Sequence, residues 1–340
     1  MKIVIPGGSG QVGTMVARAF HREGDEVVVL SRRPRAMPWR VIEWDGVRLG
    51  PWARELSEAD VLLNLTGRSV NCRYTAHNRQ EILDSRVQST RVLGQALADA
   101  RRPPHVWLQA STATIYAHRY DAPNDEVSGL IGGDEGDAPS TWRFSIDVAR
   151  AWESSFNEVH APATRKVTLR SAMTMSADRG GVFDALLALV RRGQGGRVGD
   201  GRQFMSWVHE QDFIRAIRWL IAHDDVDGIV NIASPNPMPN AEFMQALREA
   251  WGIRVGVPTA QWMLEIGAFF LRTESELVLK SRRVVPRRLL ERGFEFVYPH
   301  WPDAARDLCA AWLTRRGGGA YTPTRAQPPQ RSTREAATFR

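Results

Sequence analysis

Three glycines near the start of the chain have the spacing of a phosphate-binding turn. Gly7, Gly10 and Gly13 form GxxGxxG between the apolar run KIVIP at residues 2–6 and a helical pattern of apolar residues. The first glycine would permit a tight turn, the second would let the backbone approach a pyrophosphate, and the third would let helix and strand pack closely. Free N–H groups at the helix start would face the phosphates. This predicts a bound dinucleotide, with a merely structural turn as the alternative. The residues expected to hold it are Gly7, Ser9, Gly10, Gln11, Val12 and Gly13.

The residues after the second predicted strand indicate which dinucleotide is bound. An acidic residue at this position would bind the adenosine ribose hydroxyls of NAD. The sequence instead reads LSRRP at residues 30–34. The hydroxyl of Ser31 and the guanidinium groups of Arg32 and Arg33 suit a 2′-phosphate, which arginine binds through two hydrogen bonds. We therefore expect NADP(H) rather than NAD(H); the alternative is a solvated basic turn in an arginine-rich protein.

The surrounding elements alternate in the order typical of βαβ units. Strands are predicted at residues 2–6, 26–30, 60–65, 105–110, 166–170 and 229–233, and helices near 12–20, 75–100, 141–159 and 210–223. This order predicts an α/β fold, a Rossmann-type doubly wound parallel sheet. Glycines cluster between residues 180 and 201, a strand is predicted at 204–208, and Pro235, Pro237 and Pro239 lead into a mostly helical C-terminal portion.

These patterns divide the chain into three predicted parts. The NADP(H)-binding domain covers residues 1–170, and 204–234 return to it. A smaller substrate-binding domain comprises 171–203 and 235–314. Residues 315–340 are rich in Gly, Pro, Arg, Thr and Ser, lack apolar periodicity, and are predicted to be a disordered basic tail.

The net charge of +7 does not indicate nucleic-acid binding. The tail holds six arginines and one glutamate and so supplies +5, which leaves the remaining chain near +2. That remainder shows no basic stripe interleaved with aromatic residues. We therefore expect a small-molecule substrate and no polynucleotide partner.

The sequence also predicts no membrane segment and no metal site. No apolar run approaches the roughly 20 residues that span a bilayer, and the chain enters a strand without the pattern of a signal peptide. Cys72 and Cys309 lack metal-ligand spacing and are expected to be reduced thiols. A cytoplasmic protein is expected, and a homodimer is one assembly the chain could form.

Beyond the glycine turn, several segments carry a resemblance to a known superfamily. With LTG at residues 65–67, ASTATIYA at 110–117 and WVHEQD at 207–212, the chain resembles an extended short-chain dehydrogenase/reductase. It is similar, more narrowly, to the atypical sugar-nucleotide-epimerase-like branch with a C-terminal domain of unknown function. The segments that carry the narrower resemblance are DSRVQST at 84–90, GDGRQFMSWVH at 199–209, NIASP at 231–235 and GFEFVYP at 293–299.

The resemblance implies further cofactor residues. Leu65, Thr66 and Gly67 would lie against the adenosine-side ribose and the pyrophosphate. Ser85 falls where extended members often carry an asparagine near the cofactor. Ala110 and Ser111 would border the nicotinamide ribose.

The catalytic pair of the superfamily is absent. Its extended enzymes carry Tyr-x-x-x-Lys on one helix face, where the lysine lowers the tyrosine pKa and the phenol passes a proton during hydride transfer. None of the five tyrosines here has a lysine four residues later, and the helix expected to carry the pair reads TWRFSIDVARAWE at 141–153. The narrower branch commonly lacks the pair too.

Two residues remain as catalytic candidates and one as a substrate ligand. Thr112 matches the superfamily's catalytic Ser/Thr, although it could equally bond backbone at a strand end. Tyr116 is the nearest phenol and could donate a proton, cap the pocket or pack in the core. Arg202, in a glycine-rich loop, could bind an anionic substrate group or a structural carboxylate. We interpret His209 and Asp212 as mainly architectural.

Two functional hypotheses follow. The first is an NADP(H)-dependent oxidoreductase or epimerase-like enzyme acting on a small polar or nucleotide-linked carbonyl or alcohol. The alternative is a non-catalytic NADPH-binding sensor or regulatory protein, which the missing Tyr-x-x-x-Lys pair favours.

Overall fold

Strands and helices alternate through the first two thirds of the chain. The computed structural model describes residues 1–136, 142–258 and 279–317. The strands are β1 (Lys2–Pro6), β2 (Glu26–Ser31), β3 (Arg40–Glu43), β4 (Val61–Asn64), β5 (Val106–Thr112), β6 (Arg165–Ser171), β7 (Met173–Met175), β8 (Phe204–Met205), β9 (Trp207–His209), β10 (Gly228–Ile232) and β11 (Met238–Pro239). The α-helices are α1 (Gln11–Arg22), α2 (Ala76–Ala98), α3 (Arg143–Asn157), α4 (Val182–Arg191), α5 (Glu210–Ala222), α6 (Asn240–Trp251), α7 (Arg287–Glu291) and α8 (Trp301–Gly317). Short 3₁₀ helices span Pro51–Glu58 and Ala113–Ile115.

Seven of these strands form one parallel sheet in the order β10-β6-β5-β4-β1-β2-β3. The chain winds from β1 through β2 to β3 and then crosses back to β4 on the other side of β1. In such sheets ligands bind in the crevice outside the carboxyl ends of the strands where the winding reverses. The predicted Rossmann-type fold is confirmed, and its crevice lies between β1 and β4.

Helices cover both faces of the sheet because alternate strand residues point to opposite sides. Ile3 and Ile5 of β1 belong to the apolar layer that includes Phe20 of α1 and Phe213 of α5. Val4, between them, belongs to the opposite layer, which the residues of α2 and α3 complete. The periodicity that predicted these strands and helices therefore reflects two separate cores.

A third apolar cluster holds the C-terminal portion together. Helices α4, α6 and α8 contribute to it. At its centre Trp301 stacks on Phe243 with ring centroids 3.9 Å apart and meets Trp207 at 5.1 Å. The described part of this portion is mostly helical, as predicted.

The strand predicted at residues 204–208 is present, but Ser206 divides it into two short strands. The Ser206 hydroxyl donates to the carbonyl oxygen of Arg282 at 2.5 Å and accepts from the N–H of Val284 at 2.8 Å. Strand β8 pairs with β11 and β9 pairs with β7. The contacts with Arg282 and Val284 thus redirect the chain at Ser206. The pattern of apolar residues around Ser206 does not reveal this break.

The predicted start of the basic tail is also wrong. Helix α8 continues to Gly317, and Arg315 forms ion pairs with Asp178 at 2.8 Å and Glu210 at 2.5 Å. The sequence of α8 shows little alternation of apolar and polar faces because the helix is buried on several sides. The rest of the predicted tail, 318–340, lies outside the described residues.

Within the described ranges, none of the helices is both long and apolar enough to cross a bilayer. The same residues contain no group of three His, Cys, Asp or Glu side chains placed to hold a metal ion.

Candidate functional site

The glycine turn lies directly against the segment that follows β4. Gly7 has φ +76°, and a Cβ there would lie 2.7 Å from backbone atoms of Leu65 and Thr66. A Cβ on Gly13 would lie 2.5 Å from the Cα of Gly8. Gly10 precedes α1 as an exposed N-cap without a side-chain hydrogen bond. The first N–H groups of α1, which an α-helix leaves without intrahelical partners, are therefore available to a ligand in the crevice.

Two buried polar atoms beside this turn have no partner among the described residues. They are the Nε2 atom of Gln11 and the Oγ1 atom of Thr66. Gly181, at the start of α4, has no space for a Cβ because it would overlap the Gln11 side-chain amide. Buried polar groups normally have hydrogen-bond partners, and an orphan in a folded protein indicates a missing ligand or water. A pyrophosphate and ribose would satisfy both atoms, so the residues present fit a dinucleotide.

The carboxyl end of β2 carries the predicted cationic residues. Ser31 is buried; its hydroxyl donates to Ser9 Oγ at 3.0 Å and accepts from the N–H of Arg33 at 3.2 Å. Arg32 and Arg33 are exposed and form no ion pair with any described residue. Strand β3, which the sequence did not predict, brings the exposed Glu43 into register with Ser31. The carboxyl ends of β2 and β3 therefore present the guanidinium groups of Arg32 and Arg33 together with the carboxylate of Glu43.

A buried pair of amides fixes the loop after β4. Asn64 Nδ2 donates to Gln109 Oε1 at 3.0 Å, and Asn64 Oδ1 accepts from the N–H of Thr66 at 3.0 Å. Ser85 Oγ accepts from the N–H of Arg68 at 2.9 Å. The Ser85 hydroxyl thus fastens this loop to α2, so a role in cofactor binding would be indirect.

The residues at the end of β5 face opposite sides of the sheet. Ser111 points toward α3, where its hydroxyl donates to Glu153 Oε1 at 2.6 Å. Ala110 and Thr112 lie on the other side and remain half-buried. Thr112 Oγ1 accepts from the N–H of Thr114 at 3.1 Å and caps the 3₁₀ turn. This is the backbone bond expected of a threonine at a strand end, but it leaves the hydroxyl proton free for a substrate oxygen.

Tyr116 is placed in the core. Its side chain is 2% exposed, and its hydroxyl donates to Asn231 Oδ1 at 2.9 Å. Burial raises the pKa of the phenol, although Arg170, 5.0 Å from the ring, opposes the shift. A proton-donating role for Tyr116 therefore finds no support in the geometry, which matches the packing interpretation instead.

Arg202 lies on an exposed turn formed by two glycines of positive φ, Gly199 and Gly201. Its guanidinium lies 5.9 Å from the ring of Tyr120. It pairs with no carboxylate of the described residues, so the structural alternative considered for it is not observed.

His209 and Asp212 hold elements together. His209 Nδ1 accepts from the N–H of Gln211 at the start of α5. Asp212 accepts from the N–H groups of Val297 and Tyr298, each at 2.8 Å. Burial raises the pKa of Asp212, and these two hydrogen bonds oppose the rise. Both residues therefore have the architectural geometry expected of them.

Two features of the site were missed by sequence reasoning. One is the buried ion pair of Glu153 with Arg170, at 2.7 Å, behind Ser111. The other is Arg86 of α2, whose guanidinium packs against Gly67. Arg86 lies in the segment 84–90 that carried the resemblance, and Glu153 lies within α3, the helix that lacks the catalytic pair. The sequence around Arg86 and around Glu153 does not indicate which distant residue each side chain contacts.

Comparison with known proteins assigns the chain to a family. Residues 3–233 match the NAD dependent epimerase/dehydratase family, from β1 through the end of β10. The chain belongs to this family. Residues 259–308 also match a domain of unknown function, DUF1731. The family membership confirms the resemblance drawn from the sequence.

Individual members of the epimerase/dehydratase family match almost the whole chain. The epimerase family protein SDR39U1 of Bos taurus is 30% identical over 314 residues, covering 91% of this chain and all of the relative. The epimerase family protein YfhF of Bacillus subtilis is 27% identical over 91% of this chain and 98% of its own. The crystal structure of human SDR39U1 with NADPH has a TM-score of 0.78 and 28% identity, over 91% of this chain and 99% of that one.

Proposed function

We propose that the protein binds NADP(H) in the crevice between β1 and β4 and is an oxidoreductase or epimerase-like enzyme. The orphaned Gln11 Nε2 and Thr66 Oγ1 atoms beside the glycine turn carry the proposal, because a bound dinucleotide would satisfy both. The unpaired guanidinium groups of Arg32 and Arg33 favour a 2′-phosphate. The NADPH bound to human SDR39U1 supports the same cofactor here.

When bound, NADPH supplies a hydride to a carbonyl carbon. The residues of this chain would then orient the carbonyl and manage the proton. Thr112 Oγ1 would donate a hydrogen bond to the carbonyl oxygen, and water would deliver the proton that this oxygen takes up. Arg202 would hold an anionic group of a small polar or nucleotide-linked substrate through paired hydrogen bonds. The resemblance of the chain to the sugar-nucleotide-epimerase-like branch favours that substrate class.

Cofactor preference should depend on the two arginines after β2. Replacing both, Arg32→Gln with Arg33→Gln, should raise the dissociation constant for NADPH about 10- to 100-fold, because the two charge-assisted contacts at this exposed site together contribute about 1.4–2.7 kcal/mol. Binding of NADH should change less than about threefold. Isothermal titration calorimetry with both dinucleotides measures this. The control is Arg101→Gln. Arg101 is exposed and lies in the segment before β5, toward the amino-terminal ends of the strands and away from the crevice. Equal losses for NADPH and NADH would contradict the assignment.

Hydride transfer itself can be followed with NADPH carrying deuterium at nicotinamide C4, in both stereoisomers. The protein would be incubated with nucleotide-linked keto sugars and small polar aldehydes and ketones, and products analysed by mass spectrometry. We expect label in a product, and a Thr112→Val variant should lower the rate by about 10²-fold, the scale of a lost proton-transfer or oxygen-orienting group. Thr112→Ser should retain most of the rate, and NADPH binding should be unchanged in both.

The second candidate is a non-catalytic NADPH sensor. The burial of Tyr116 and the missing Tyr-x-x-x-Lys pair favour it, because the Tyr116 phenol is enclosed and donates its proton to Asn231. Tight NADPH binding without transfer of label to any tested carbonyl would support the sensor over the enzyme.

A further inference from the structure

Arg86 of α2 is half-buried, and no carboxylate of the described residues pairs with it. Its Nη1 atom donates to the carbonyl oxygens of Ile82 at 2.8 Å and Arg68 at 3.2 Å. Its Cζ atom lies 5.0 Å from the ring of Trp152 on α3. It forms no ion pair with the described residues, and the titratable group that interacts with it electrostatically is the phenol of Tyr74. Burial lowers the pKa of Arg86 to about 10, so the group remains charged at neutral pH.

A nearby arginine shows what a structurally paired cation looks like in this fold. Arg170 is buried, and Glu153 contacts it through two hydrogen bonds of 2.8 and 2.7 Å. Burial disfavours its charge, yet the hydrogen bonds and the charge of Glu153 outweigh that effect and raise the pKa of Arg170. A buried charge without a partner is unfavourable unless something else compensates it. Within the described part of the chain, Arg86 therefore lacks the kind of counter-ion that Glu153 provides for Arg170.

The position of Arg86 shows where that counter-ion would lie. A Cβ on Gly67 would be 3.1 Å from the Cζ and Nη2 atoms of Arg86. Gly67 is two residues beyond Leu65, which lies against Gly7 of the glycine turn. The absence of a side chain at Gly67 leaves the guanidinium next to the crevice floor. Since Nη1 is used by carbonyl oxygens, Nε and Nη2 remain for a ligand.

The sheet order identifies which half of the dinucleotide Arg86 would meet. Trp152, beneath the guanidinium, adjoins Glu153, which bonds Ser111 at the end of β5. Strands β4 and β5 lie on one side of β1, whereas β2, with its 2′-phosphate residues, lies on the other. A dinucleotide with its pyrophosphate at the glycine turn therefore extends its nicotinamide half over β4 and β5.

We propose that Arg86 is an anion-binding residue that holds the nicotinamide-side phosphate of the bound dinucleotide. The inference rests on the proposed binding of NADP(H). The helix α3 carries no lysine, and Arg86 of α2 is the cation that packs against Gly67. The negative charge of the phosphate replaces the missing carboxylate, and the same contact fixes the nicotinamide half above Thr112.

The test compares ligands that do and do not contain the nicotinamide half. Arg86→Met keeps the side-chain packing over Trp152 but removes the charge. We expect it to raise the dissociation constant for NADPH about 10- to 100-fold, on the scale of a lost charge-assisted contact. The constant for 2′,5′-ADP, which lacks the nicotinamide half, should change less than about threefold. Arg86→Lys should fall between Arg86→Met and the unaltered protein.

A second measurement separates ligand binding from a structural role. The cost of partly burying a charge without a carboxylate opposes the gain from its two hydrogen bonds, so the thermal midpoint of the ligand-free Arg86→Met protein should be nearly unchanged, whereas loss of a structural cation would lower it. Arg91→Gln, an exposed position on the same helix, is the control and should change neither quantity. Equal losses for NADPH and 2′,5′-ADP, unchanged NADPH affinity, or a lowered ligand-free midpoint would overturn the proposal. If the unaltered protein bound neither NADPH nor NADH, the proposed function itself would fail, which is a separate result.

Discussion

Replacing Gly7 with alanine is expected to abolish useful NADPH binding, raising the dissociation constant by more than about 100-fold. The new Cβ would lie 2.7 Å from backbone atoms of Leu65 and Thr66, which cannot rotate away as a side chain would. The φ of +76° adds strain of about 1–2 kcal/mol for any residue with a Cβ. The turn must therefore shift, and the first N–H groups of α1 lose their alignment with the pyrophosphate. Isothermal titration with NADPH measures the loss.

Gly24→Ala provides the matched control for this variant. Gly24 has a similar φ of +88°, but a Cβ there would meet no atom within 4 Å. It should lower the free energy of unfolding by about 1–2 kcal/mol through backbone strain alone and leave NADPH affinity unchanged. If Gly7→Ala bound NADPH as tightly as Gly24→Ala, the glycine turn could not be the pyrophosphate site.

The parallel sheet could be predicted from sequence because its strands are buried on both faces. Such strands are short continuous apolar runs, as in β1 and β2, and amphipathic helices separate them. Strand β3 escaped prediction because it lies at the sheet edge and has no buried residue. Helix α4 escaped because the glycines at 180, 181 and 193, which bound it, resemble a loop-forming cluster.

The cofactor end of the site was more predictable than the catalytic end. The glycine turn and the arginines after β2 are local signals, since each works through residues adjacent in the chain. The roles of Tyr116 and Ser111 depend on Asn231 and Glu153, which distant elements bring to them. A tyrosine or serine near the end of a strand looks the same in the sequence whether its side chain faces a crevice or the core. The roles of Tyr116 and Ser111 therefore could not be predicted from neighbouring residues.

Replacing Glu153 with glutamine is expected to produce the largest loss of stability, lowering the free energy of unfolding by roughly 3–5 kcal/mol. Glu153 and Arg170 are both buried, and Ser111 also uses Glu153 as its hydrogen-bond acceptor. The variant would leave the guanidinium of Arg170 charged, enclosed and without its counter-ion. Urea-induced unfolding followed by circular dichroism measures the change. Glu158→Gln, an exposed residue just beyond α3 whose pair with Arg91 spans 3.9 Å, should cost less than about 1 kcal/mol.

A double variant distinguishes charge from shape in this prediction. Glu153→Met combined with Arg170→Met removes both charges and retains apolar volume, so it should be more stable than Glu153→Gln alone. Such a result would show that the effects of the two substitutions are coupled. That is expected of an ion pair in which either charge alone is unfavourable in the interior. Equal destabilisation by Glu153→Gln and Glu158→Gln would show instead that water reaches Arg170. The polar layer beneath Ser111 would then be open to solvent, and the end of β5 would lack the rigid support on which the placing of Thr112 depends.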